Sequence, residues 1–134
     1  MSAVDSLKAS DVLTINVDMK NAYDSYVYAD LFDNDGNFIC RNTQLLTVAK
    51  HFDWQNPGIN VDITDCEDGV EISVSSNVFA KGVYIDFDGI DCVLTDNFFD
   101  LTDDKPYVVK SVTNHTAKEL KEALKVMSVY DIGR

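Results

Sequence analysis

The chain has 134 residues, 46% of them apolar, and a formal net charge of -12. That length suits one ordinary domain able to bury roughly two-thirds of its unfolded surface, and it excludes a (β/α)₈ barrel, which needs about 250 residues. The acidic field repels nucleic-acid phosphates and anionic bilayers, so neither nucleic acid nor membrane is expected as a partner, and no apolar run approaches membrane-spanning length.

Only four of the acidic residues are Glu (67, 71, 119 and 122); the other 19 are Asp. Asp favours turns and strand ends over helix interiors, which leans toward a β protein. The three cysteines, Cys40, Cys66 and Cys92, are spaced 26 residues apart. An odd number without a Cys-x-x-Cys pair or a neighbouring His fits neither a disulfide framework nor a zinc site. Buried free thiols are the plain reading, with a Cys40–Cys92 bridge as the alternative. No signal-peptide pattern opens the sequence.

In chain order, residues 1–10 lack periodicity and read as a linker, with a single domain expected over 11–134. Leu13, Ile15 and Val17 alternate with Thr14, Asn16 and Asp18, which predicts a half-solvated strand over Val12–Asp18. A second strand is expected from Ser25 to Phe32. There Val27, Ala29 and Leu31 are assigned inward, and Tyr26, Tyr28 and Asp30 outward. Asp33-Asn-Asp-Gly36 before Phe38-Ile39 is a hairpin signal. Read as a calcium loop with Gly36 at position six, it would put Leu31 at one and Asn42 at twelve, and both fail as ligands.

Phe38 to Phe52 reads as a long strand with confused parity around Arg41–Gln44, the mark of a bulge or a change of sheet. Asp53-Trp-Gln-Asn-Pro-Gly58 is a loop holding Trp54, the only tryptophan, as either a sugar platform or a packing plug. Ile59–Thr64 and Val70–Ser75 are short strands joined by the turn Asp65–Gly69, which fails the calcium test in the same way.

The densest signal is GVYIDFDGIDCVLTDNFFDL, residues 82–101. Val83, Ile85 and Phe87, then Cys92 and Leu94, then Phe99 and Leu101 fall on alternate positions, predicting two or three short strands at the centre of a sheet. The core is expected around Phe99 and Leu101, with Ile15, Val17, Val27, Leu31, Ile72 and Ile85 contributing. Phe98, opposite in parity, is expected outside with Tyr26 and Tyr28. Tyr107–Thr113 closes the strand series. Thr116-Ala-Lys-Glu119 is a helix capping box, and Leu120, Ala123, Leu124 and Met127 extend it as an amphipathic helix. Residues 128–134 read as an extended tail. About seven to nine strands followed by a single helix make an all-β antiparallel sandwich of two stacked sheets the natural solution.

Nothing in this pattern is catalytic. His51 and His115 lie apart from any nucleophile motif, and the glycines are scattered singly rather than gathered in a phosphate loop. Asp86, Asp88, Asp91, Asp96 and Asp100 offer carboxylates, but on turns and exposed strand positions instead of across a sugar pocket. No catalytic, cofactor-binding or metal site is therefore expected, and no cofactor.

Three segments, GVYIDFDG, TDNFFDL and TAKELKEALKVMSVYD, give the chain a family likeness over about residues 12–131. Together they resemble the C-terminal immunoglobulin-like domain of β-mannosidases of glycoside hydrolase family 2, the last segment looking like the ending of bacterial members. The resemblance implies an accessory domain whose partners are the other domains of a parent glycosidase, with glycan as a further possible partner. It leaves both catalytic glutamates in a separate barrel, where the acid/base follows an Asn; no Asn-Glu dipeptide occurs here. A bacterial parent would favour a periplasmic or secreted setting. Tyr26, Tyr28, Trp54 and Phe98 are the candidate interdomain or sugar-contact aromatics. A carbohydrate-binding module and a cell-surface adhesion module are the alternative readings.

Overall fold

A computed structural model describes residues 9–11, 13–102 and 105–132. The linker expected at the N-terminus therefore lies almost wholly outside the described residues, as do Val12 and part of the turn before Tyr107.

Among the described residues, eight strands form three antiparallel sheets. Strands β1 (Tyr26–Phe32) and β2 (Phe38–Leu45) make a hairpin of their own. Strands β3 (Asn60–Cys66), β4 (Gly69–Ser75) and β7 (Tyr107–Val112) form the second sheet in the order β3-β4-β7. The third sheet has the order β6-β5-β8, from β5 (Ala80–Phe87), β6 (Phe99–Leu101) and β8 (Leu124–Met127). Helix α1 (Ala117–Ala123) precedes β8, and one helical turn, α2 (Val129–Ile132), follows it.

The two three-stranded sheets share one core, and period-two alternation builds it. Every second residue of β4 is buried (Val70, Ile72, Val74), and β5 contributes Val83, Ile85 and Phe87. Phe99 and Leu101 lie at its centre as expected, with Ile63, Val109 and Leu120 completing it. A second, smaller cluster of Leu45, Phe52 and Phe79, with Tyr26 and Trp54 packed against it, joins the hairpin to the sandwich.

Several expectations are corrected. Of the strand predicted over Val12–Asp18, the described residues 13–18 form none: Leu13 and Ile15 are 79% and 57% exposed and pair with no sheet edge. Alternation makes a segment compatible with a strand, but a strand exists only through its ladder partner. Ile15 and Val17 therefore add nothing to the core. The strand from Phe38 stops at Leu45, and a short 3-10 turn follows at Ala49–His51. The irregularity in the hairpin lies between Leu31 and Phe32, not around Arg41–Gln44. The turn itself is as read: Gly36 takes a positive φ of 84°, and the Asp33 carboxylate accepts the backbone N–H groups of Asp35 (2.9 Å) and Asn37 (2.8 Å).

The inward and outward assignments on β1 hold only in part: Tyr28 is exposed as expected and Val27 is half-buried, but Leu31 and Tyr26 are reversed. Leu31, assigned to the core, is 55% exposed, while Tyr26 is half-buried on Phe79 with ring centroids 4.0 Å apart. Both faces of this strand carry apolar groups, so parity alone did not decide which turned inward.

At the C-terminus the capping box forms, with Thr116 and Glu119 exchanging both hydrogen bonds, but α1 ends at Ala123. Leu124–Met127 pairs instead with the free edge of β5, Leu124 opposite Phe87 and Met127 opposite Tyr84. The expected extended tail is α2, held by Ser128, whose N–H and hydroxyl both reach Asp131 Oδ2 at 2.8 and 3.1 Å. The three cysteines are free, but Cys40 and Cys66 are exposed rather than buried.

Candidate functional site

The polar chemistry of the described residues concentrates where the β1–β2 hairpin lies against the sandwich. Because Asp30 and Arg41 face each other in the register, their side chains project from the same face of the hairpin. Arg41 donates to Asp30 through Nε (2.6 Å) and Nη2 (2.8 Å), and Lys105 Nζ reaches the same carboxylate at 2.7 Å. The Arg41 side chain is 5% exposed and that of Asp30 10%. Arg41 also donates through Nη1 to Thr102, and Thr43 donates to Asp100, so two adjacent hairpin side chains on this face reach the segment after β5. Asp100 further accepts the backbone N–H of Gly82 (2.8 Å) and a hydrogen bond from Lys81 (3.1 Å).

Charge and burial set the protonation states. The Arg41 guanidinium, seconded by Lys105, holds the Asp30 carboxyl well below the usual carboxylate range despite the opposing effect of burial. Burial, reinforced by the hydrogen bond its hydroxyl donates to Asp96 Oδ2 at 2.6 Å, pushes the Tyr107 phenol up.

Beside this network lies a cavity of about 460 Å³, walled by Phe32, Phe38, Arg41, Lys105, Pro106 and Tyr107. Phe38 meets Tyr107 edge-on at 5.9 Å, and Tyr107 stacks on Phe99 at 4.5 Å, linking the seam to the main core. A second cavity of about 390 Å³ is bordered by Lys81, Asp96, Phe98 and Asp100 among others.

The four singled-out aromatics do not assemble into one platform. Tyr26 and Trp54 both stack with Phe79, and the Trp54 indole N–H donates to the Ala49 carbonyl at 2.9 Å, so Trp54 serves as packing. Tyr28 lies under the Arg41 guanidinium, 4.4 Å from its ring centroid. Phe98 is the most displayed of the four, 69% exposed, with Tyr28 at 40%. The acidic residues weighed for glycosidase chemistry are spent on structure or face water. Asp96 and Asp100 hold the bonds above, Asp88 meets Lys125 at 3.0 Å, and Asp86 and Asp91 are exposed. Sequence reasoning missed the Asp30–Arg41–Lys105 cluster. Its one signal was an Asp and an Arg lying five residues either side of the Asp35-Gly36 pair in the hairpin turn.

The family model described as the mannosidase Ig-fold domain matches residues 54–132. The chain belongs to the mannosidase Ig-fold domain family. No curated protein matches it. The matched part runs from Trp54 through β3 to α2, so it contains both sandwich sheets and the main core. The hairpin, with Asp30 and Arg41, lies before the matched residues and Lys105 lies within them, so the seam joins the hairpin to the matched part.

Proposed function

We propose that this chain is a non-catalytic accessory domain of a β-mannosidase-type glycoside hydrolase of family 2, packed against the catalytic barrel or a neighbouring domain and holding the shape of the parent. The observation that carries this reading is the seam. Its charged groups close on one another (Asp30 with Arg41 and Lys105, Asp100 with Thr43 and Lys81) and so fasten parts of one chain together. An enzyme site spends such groups differently, with carboxylates aimed across a cleft at a bound sugar.

The outer face of the hairpin supports the packing role. Ala29, Leu31 and the facing Cys40 are exposed there, turned away from the sandwich. Leu31→Ser leaves the isolated chain folded but loosens its attachment in the full-length parent, read as earlier release of this domain by limited proteolysis. A full-length Leu31→Ser protein as resistant as the unsubstituted parent would remove this face as the packing surface.

A further inference from the structure

We propose that the groove at the Phe98 end of the seam binds a neutral pyranose sugar, with the Phe98 ring as its stacking platform. This goes beyond the accessory role, since an isolated chain with no docking partner would still bind.

The backbone at Phe98 has φ 60°, the only positive value at a non-glycine among the described residues. A bulky side chain rarely adopts that conformation and holds it only where the surroundings over-determine it. Asn97 does so here. Its Oδ1 accepts the N–H groups of Ile85 (2.9 Å) and Phe98 (3.1 Å), and its Nδ2 donates to the Ile85 carbonyl (2.8 Å), copying a ladder partner for β5. Core packing does not explain the result, because the ring so positioned is largely in solvent. One side of it is steadied on Tyr84, centroid to centroid 4.8 Å and 24° from parallel.

The ring borders the cavity of about 390 Å³, within the range of small-molecule clefts, about 300–1,000 Å³. Two polar groups on the same border keep hydrogen-bonding capacity. Lys81 gives one of its three N–H groups to Asp100. Asp96 accepts once at Oδ2, from Tyr107, and once at Oδ1, from the Asn97 N–H, which leaves lone pairs on both oxygens. A flat apolar face beside a donor and an acceptor matches a pyranose ring, whose C–H face covers an aromatic ring while its hydroxyls bond around the edge. The charge of -12 disfavours an anionic sugar.

The test is titration of the ¹⁵N-labelled chain with methyl β-mannopyranoside and methyl β-glucopyranoside, with glucuronate as the anionic comparator. Saturable shifts are expected at the Gly82, Asn97 and Phe98 amides for at least one neutral sugar, with a dissociation constant on the order of 1 mM. Phe98→Asn suits the left-handed backbone and removes the ring; it should weaken binding about tenfold or more with the melting temperature unchanged, while Phe98→Tyr retains binding. No saturable shift with either neutral sugar, shifts that survive Phe98→Asn, or equal binding of glucuronate would each overturn the proposal.

Discussion

Arg41 grips Asp30 with two parallel hydrogen bonds, Nε to Oδ1 at 2.6 Å and Nη2 to Oδ2 at 2.8 Å, across β1 and β2, which lie outside the two sandwich sheets. The fork geometry is the strong form of an ion pair, and here it is nearly dry. It fixes which face of the hairpin meets the sandwich, since the same guanidinium continues to Thr102. Breaking it from one side strands a buried charge. Arg41→Leu should therefore destabilise the chain by about 3–5 kcal/mol in urea unfolding, whereas replacing Asp30 and Arg41 together by apolar residues should cost far less. Equal losses in the single and double variants would mean that the pair is not the fastening.

The same pair sets an acid limit. The folded-state pKa of Asp30 is depressed, chiefly by Arg41, so its contribution is fully present above the unfolded carboxyl value of about 3.9 and is lost as pH falls through the lower folded value. Trp54 reports on this, because it packs in the cluster that joins hairpin to sandwich. Its emission should stay constant from pH 7 to about pH 4 and change only below that. A transition centred above pH 4 would contradict the assignment.

The strand faces are tested by one pair of substitutions. Phe99→Ala removes a ring buried between β5 and Tyr107 and should cost about 3–5 kcal/mol. Leu31→Ser, on the exposed outer face of the hairpin, should change stability by about 0.5 kcal/mol or less. Comparable losses at both positions would reverse the orientation of β1.

Most of the sandwich was legible because its strands bury one face and expose the other. β4 shows that alternation throughout and β5 shows it from Val83 to Phe87, and Phe99 and Leu101 follow it into the core. The capping box was legible because two side chains satisfy a local rule at a fixed spacing. β8 was not, since Leu120, Ala123, Leu124 and Met127 have helical spacing while Leu124 and Val126 also satisfy a period of two. The free edge of β5, invisible in one dimension, decided between them. The orientation of β1 was hidden for a related reason. Tyr26 and Tyr28 are as able to pack as Val27 and Leu31, and the choice fell to Phe79 and Arg41, each distant in sequence from at least one of its partners. The seam depended on bonds between residues as far apart as Asp30 and Lys105, so no local pattern announced it.

The central claim is that this domain supports a glycosidase without performing its chemistry. Incubating the purified chain with an aryl β-mannoside and following release of the phenol tests that most directly. The account predicts a rate equal to that of buffer alone at every protein concentration; release that rises in proportion to the protein and saturates with substrate would contradict it.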